Sequence, residues 1–214
     1  MVRQSRQPQL SQYNQTPMTV LVACEYSGAV RDAFARLGHD AWSCDLLVSE
    51  SKGNHIQGDV CEVLREQWRW DLIIAFPPCT YLCASGMHWT TRGLRDPQLT
   101  EDALALVRTI LGADCPRIAL ENPIGCISSR IRRPDQIIQP WQFGHPESKS
   151  TCLWLKGLPP LIPTNVLPKP ASGRWDNQTG SGQNKLGPSK NRWKIRSKTY
   201  QGIADAMAAQ WSQI

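Results

Sequence analysis

Several things are scarce in this sequence. No apolar run approaches the ~18 residues of a helical membrane span, so no membrane partner is expected. Residues 1–17 are polar and rich in Gln, without the apolar stretch of a signal peptide. They read as a disordered tail, and the chain as a cytoplasmic protein. Acidic residues nearly vanish from residues 149–198, which hold ten Lys or Arg against one acid, Asp176. No internal repeat is visible. The eight cysteines show none of the paired spacing of zinc motifs, so a metal site built from Cys79, Cys83 and His88 is disfavoured. Cys24, Cys44 and Cys61 lie in or beside apolar segments, where a reduced thiol serves as a small hydrophobe.

Charge is unevenly distributed. Residues 18–148 carry twelve Lys or Arg against sixteen acids, whereas the chain as a whole is +6. A mildly acidic body with a basic C-terminal segment points to a polyanionic partner. The bland alternative is a solvated basic loop.

The ordered body is expected to begin at Met18. Thr19 to Cys24 reads as a buried strand, Ala29 to Leu37 as a helix with Val30, Phe34 and Leu37 on one face, and Ala41 to Asp45 as a second strand. His55 to Asp59 is a short strand, Val60 to Gln67 a helix, and 71–76 a strand. Leu99 to Leu111 is a helix presenting Leu104, Val107 and Leu111. Arg117 to Leu120 and Ser150 to Leu155 read as further strands. Residues 157–195 are dense in Gly, Pro, Asn, Ser and Lys and should be irregular. Thr199 to Gln213 is an amphipathic helix burying Ile203, Ala206, Met207 and Trp211. Alternating strands and helices imply an α/β fold with a mostly parallel sheet, which binds ligands at the carboxyl ends of its strands. Glu25, Asp45, Asp59, Cys79 and Glu121 all fall at or just beyond such ends, which predicts one shared cleft.

Two motifs carry chemistry. Phe76-Pro77-Pro78-Cys79 follows an apolar strand, so its cysteine sits on a stiff turn suited to a nucleophile. Glu121-Asn122-Pro123 ends another strand, and a pocketed carboxyl there can hold or share a proton. The turn Glu25-Tyr26-Ser27-Gly28 lets a ligand approach the backbone and the next helix. Asp45 suits ribose hydroxyls, and Asp59 an adenine amino group. Taken singly, each acid is more often a loop cap; their succession favours a nucleoside cofactor.

On these residues the chain resembles the DNA cytosine-5 methyltransferases, closest to compact phage-type members. Pro78-Cys79 matches the family's catalytic Pro-Cys and Glu121-Asn122 its Glu-Asn, over roughly residues 18–125. The resemblance implies a Rossmann-like S-adenosylmethionine-dependent methyltransferase fold with a small irregular basic insertion before the last helix. It implies attack by Cys79 on cytosine C6, with Glu121 at N3. S-adenosylmethionine would be held by Glu25 to Gly28, Asp45, Asp59 and Pro78. DNA is the implied partner, and a monomer is expected.

The sequence departs from the family at the cofactor turn, which reads Cys-Glu-Tyr-Ser-Gly. It departs again at Thr80, where the family has Gln, and in showing no Gln-x-Arg-x-Arg; either Lys149 or Arg196 would supply the missing cation. The chain divides into the tail 1–17, a catalytic domain 18–148, a target-recognition segment 149–198 and a final helix 199–214. Substrate contacts are assigned to Asn122, Pro123, Lys149, Arg174, Trp175, Arg192, Trp193 and Arg196. The two tryptophans would stack on bases, and Asn177, Gln178, Gln183 and Asn191 would read base edges. The alternatives are a cytosine-5 methyltransferase acting on a free cytidine nucleotide or a single strand, or an inactive DNA-binding relative.

Overall fold

A computed structural model describes residues 16–66, 69–181, 184–187 and 189–214. Most of the expected tail, the end of the helix assigned to 60–67, and Gln183 lie outside the described residues. The strands are β1 (Thr19–Ala23), β2 (Asp40–Asp45), β3 (His55–Gln57), β4 (Leu72–Ala75), β5 (Ile118–Pro123), β6 (Gln136–Ile138) and β7 (Thr151–Lys156). The helices are α1 (Ala29–Arg36), α2 (Val60–Arg65), α3 (Ala84–Thr91), α4 (Gln98–Leu111), α5 (Ile127–Arg130), α6 (Arg192–Ser197) and α7 (Gln201–Trp211).

The strands form one sheet in the order β3-β2-β1-β4-β5-β7-β6. The pairs from β3 through β5 are parallel, while β7 runs antiparallel to both β5 and β6. The fold is thus mixed α/β with a seven-stranded, mostly parallel sheet. The first five strands keep the order of a doubly wound nucleotide-binding sheet; the reversed β7 departs from it.

Side-chain alternation builds two cores. Val20 and Val22 of β1 and Leu72 and Ile74 of β4 point to one face, where Phe34 of α1 and Ile203, Met207 and Trp211 of α7 cover them. Leu21, Ile73, Ile118 and Leu120 point to the other, against Val63 of α2 and Leu104, Val107 and Ile110 of α4. Leu37 departs from its expected inward place: α1 ends at Arg36, and Leu37, just past the last turn, is 52% exposed. On α4, Ile110 is buried in place of the expected Leu111, which is only half-buried.

The expected boundary at residue 149 moves. Residues 151–156 pair along both edges as β7, inside the central sheet. The segment separate from the sheet therefore begins at Gly157. Between there and Lys190 the described residues form no helix or strand of the sheet. The elements absent from the sequence reading are all short: β6, α3, α5, α6 and two 3-10 turns at Cys79–Tyr81 and Pro140–Gln142.

Arg31 is a buried cation with an architectural role. Its guanidinium pairs with Asp32 and donates to Ser43 Oγ at 3.0 Å, Ser49 Oγ at 3.1 Å and the carbonyls of Ser51 and Lys52 at 3.3 Å. These bonds hold the loop after β2 against α1. Gly28, at φ 76°, precedes α1 where an added Cβ would lie 2.1 Å from Ser51 Oγ and 2.4 Å from Arg31 Nη2. Only glycine fits that crossing.

Candidate active site

The sheet order switches direction between β1 and β4, which opens a crevice at their carboxyl ends. A cavity of about 730 Å³ lies there, within the size range of ligand sites. Its walls bring together Glu25, Tyr26, Ser27, Asp45, Pro78, Cys79, Glu121, Asn122, Pro123, Lys149, Arg192, Trp193 and Arg196. The shared cleft expected from the strand ends therefore includes four of its five groups.

The fifth, Asp59, lies outside. It is the N-cap of α2 and accepts from the Cys61 N–H at 2.8 Å, so its carboxylate serves that helix. Gly28 does not line the cavity either; its part is the backbone crossing at Arg31. Arg174 and Trp175 also depart from expectation. Trp175 is 7% exposed and stacks on Trp141 with ring centroids 6.4 Å apart, lining a separate 320 Å³ pocket with Ser148 and Lys169. Arg174 is exposed and lines neither pocket. The Asn177 amide is occupied too: it accepts from Ser148 N–H at 3.0 Å and donates to Ser148 C=O at 2.9 Å. That bond pair fastens the irregular segment to the rim of the cleft and leaves the side chain unsuited to reading a base edge.

The nucleophile loop and the carboxyl loop are joined by hydrogen bonds. Asn122, fully buried, donates from Nδ2 to the Pro77 carbonyl at 2.8 Å. Ala84 N–H donates to Ile124 C=O at 3.0 Å, and Cys126 N–H to Leu82 C=O at 2.8 Å. Gly125 makes this approach feasible, since a Cβ there would sit 2.0 Å from the Leu82 carbonyl oxygen. Cys79 and Glu121 are thus held on one rigid unit, which preorganises them.

Burial pushes the Glu121 carboxyl upward, while the Lys149 ammonium and the Thr151 hydroxyl pull back. Cys79 is pushed far up, first by its hydrogen bond with Cys83, then by burial and by the charges of Cys83 and Glu121; Lys149 opposes. Cys83 moves the other way, to about 5. Its hydrogen bond from Cys79 leads, and Ser85, Gly86 N–H and Arg196 assist against the cost of burial. The sequence offered Cys83 only as a ligand of the disfavoured metal site and as a less favoured nucleophile than Cys79, four residues before it.

On the other side of the crevice, Glu25 accepts from the N–H groups of Val30 at 2.8 Å and Arg31 at 3.2 Å, and from Ser27 Oγ at 3.2 Å. Its carboxylate therefore shapes the β1–α1 turn. Cys24, in that turn, adopts φ 57°, an uncommon conformation for a side-chain-bearing residue. Asp45 accepts from Leu47 N–H at 2.9 Å, and burial pushes its carboxyl up. With Glu25 engaged by the turn and Leu46, Leu47 and Phe76 also lining the cavity, this end offers the Asp45 carboxylate and apolar walls. That donor set fits a nucleoside group such as the one implied for S-adenosylmethionine.

The basic segment returns over this end. Tyr26 Oη bonds to the Lys194 carbonyl at 3.1 Å and to Ser197 Oγ at 3.0 Å, and its ring lies 6.1 Å from that of Trp193. Lys198 and Lys194 pair with Glu50 at 2.6 and 3.4 Å. Lys149 Nζ donates to the Arg196 carbonyl at 3.0 Å. Trp193 is left 53% exposed at the rim.

No protein-family profile matches the sequence, and no curated protein matches it. Among solved structures, it is similar to a prophage-encoded Escherichia coli protein provisionally designated a DNA modification methyltransferase. The identity is 16% and the TM-score 0.48, over 71% of this chain and 52% of that one. The chain thus spans about half the length of that protein.

Proposed function

We propose that this protein transfers a methyl group from S-adenosylmethionine to C5 of cytosine in DNA, through a covalent adduct between Cys79 and C6. The observation that carries the reading is the hydrogen-bonded unit that sets Cys79 and Glu121 on one cavity, whose other end offers Asp45 and apolar walls. Cytosine C5 is a poor nucleophile until a thiolate adds at C6. Addition pushes electrons toward C5 and N3, and a protonated Glu121 donates to N3 to stabilise that charge. The upward push on the Glu121 carboxyl favours this protonated form.

S-adenosylmethionine, when bound, supplies an electrophilic methyl group. Asp45 would accept from its ribose hydroxyls, with Phe76, Leu46 and Leu47 against the base. Glu25 and Gly28 keep the turn in place for it. Lys149, beside both Glu121 and Cys79, supplies the cation next to the target ring. Arg192 and Arg196 line the same cavity and are placed to meet phosphates, while exposed Trp193 offers a stacking face. In a duplex the target base must leave the stack to enter.

The test is a trap. A duplex carrying 5-fluorocytosine, incubated with the protein and S-adenosylmethionine, is expected to yield an adduct stable to denaturation with wild type and none with Cys79→Ser. Absence of adduct with wild-type protein on 5-fluorocytosine duplexes, 5-fluorocytosine single strands and 5-fluoro-dCMP alike would sink the proposal. An adduct only with 5-fluoro-dCMP would move it to the free nucleotide.

A further inference from the structure

We propose that the DNA reaches this site as a single strand, crossing the strand ends between α3 and α6, with bases beside the target stacked on Trp89 and Trp193 and a phosphate on Arg95. This rests on the reading of a cytosine in DNA as the substrate and adds the state in which it is presented.

The walls of the cleft rise from opposite faces of the sheet. α3 follows the nucleophile loop, and Thr100 of α4 donates from Oγ1 to its Met87 Sδ at 3.7 Å, so α3 stands on the side covered by α4. α6 leads into α7, which covers the other face together with α1. Tyr26, in the turn before α1, ties α6 to that side through the Lys194 carbonyl at 3.1 Å. Each wall carries one large aromatic residue: Trp89 is 47% exposed, Trp193 53%, and both line the cavity. The His88 ring meets Trp89 edge-on at 6.0 Å, and the Tyr26 ring is tilted against Trp193. Among the described residues, neither indole face is covered by a stacked ring.

Cations follow the same walls. Arg95, in the loop after α3, donates from Nη1 to the Thr80 carbonyl at 3.2 Å and lies 5.5 Å from the centroid of the Tyr81 ring. These contacts fix its guanidinium on the cavity wall, beside the nucleophile loop. Arg192 and Arg196 line the cavity from α6. Among the described residues, none of these arginines has a carboxylate within ion-pair distance, whereas Lys194 and Lys198 pair with Glu50. Unpaired guanidiniums beside uncovered indoles are the combination that holds a single strand: the cations track phosphates, and the aromatic faces take bases.

A duplex suits this rim less well. There the neighbours of an extruded base stay paired, and the gap it leaves is one base high. Indoles on separate walls instead match unpaired neighbours on each side of the target. The major groove of a duplex admits a helix or a two-stranded ribbon. Residues 157–190 form neither among those described, and the six-residue α6 is fastened onto the cleft.

The test is binding to the full chain, read by fluorescence anisotropy at equal salt. The probes are a labelled DNA strand of about 12 nucleotides with one central cytosine, and the same sequence as a duplex. The strand is expected to bind about tenfold or more tightly than the duplex. Trp89→Ala and Trp193→Ala should each weaken strand binding about tenfold, while Trp89→Phe and Trp193→Phe, which keep a stacking face, retain most of it. Arg95→Gln should reduce the slope of log affinity against log salt by about 0.7. Duplex binding as tight as strand binding, absence of strand binding, or alanine variants that bind like wild type overturn the proposal. So do phenylalanine variants as weak as the alanine ones, which would mark the indoles as structural. An unchanged salt slope overturns the place given to Arg95. The same strand and duplex made with 5-fluorocytosine separate this from the methyl-transfer reading. Adduct on the duplex with weak strand binding overturns the single-strand proposal alone. Tight strand binding with no adduct on any substrate supports the strand path and overturns the methyl-transfer reading.

Discussion

The same physical cause, exclusion from water, acts on Glu121 and Cys79 with opposite chemical value. A carboxyl pushed up keeps its proton and can donate to a ring nitrogen. A thiol pushed up keeps its proton, so attack by Cys79 needs that proton removed. The Glu121 shift has a definite sign. Its neutral form persists below the raised pKa and is lost as pH rises through it, so activity should decline on that alkaline side. Glu121→Gln is expected to lower kcat by about 100-fold or more. The folded protein also binds that proton more tightly than the unfolded chain, so Glu121 weakens stability as pH climbs through the window. Thermal unfolding above that window should therefore find Glu121→Gln at least as stable as wild type. A variant both inactive and clearly less stable there would contradict this account. At this scale the meeting of Cys79 and Glu121 at one cavity was legible, because each follows an apolar run and has a proline within two residues. The roles of Asp59 and Asn177 were not, because a helix cap or a backbone clamp depends on partners that spacing alone does not identify.

Among elements, the loops carry the site and the sheet aligns them. Periodicity marked β1, β2, β4, α1, α4 and α7, since each presents a recurring apolar face to one of the two cores. α5 has only four residues, and α3, as long as α1, has no apolar stripe, burying only Gly86, so both escaped it. They exist because the 79–84 and 121–126 loops bond to each other, and such tertiary bonds leave no periodic trace. Arg31 is a second case of this kind: a cation in a helix that reads as surface but organises the loop after β2 from within. Arg31→Ala leaves several polar groups of that loop without partners. It should cost roughly 2–3 kcal/mol of stability and weaken S-adenosylmethionine binding. Thermal unfolding and calorimetric titration check the two effects; wild-type values for both would remove the loop from the cofactor site.

For the whole molecule, charge and chain path act together. The basic segment does not hang free: Asn177, Lys149 and the Tyr26–Glu50 side fasten it across the crevice. Arg192 and Arg196 thereby arrive at the mouth of a cavity built mainly by an acidic body. If they meet phosphates, duplex affinity falls with salt, and Arg192→Gln should reduce the slope of log affinity against log salt by about 1. An unchanged slope would place the phosphate path elsewhere.

The sequence by itself determined the parallel α/β core, the placement of Cys79 and Glu121 on the carboxyl side of neighbouring strands, and a basic segment set apart by composition. Those features follow from local propensity, apolar period and charge, each readable along a line of residues. Only the tertiary structure decided that β7 belongs to the sheet, that Trp175 packs on Trp141 while Trp193 stays at the rim, and that Asn122 ties the carboxyl loop to the Pro77 carbonyl. These depend on which distant or turn-related groups meet in a water-poor space, and that is set when the chain closes on itself.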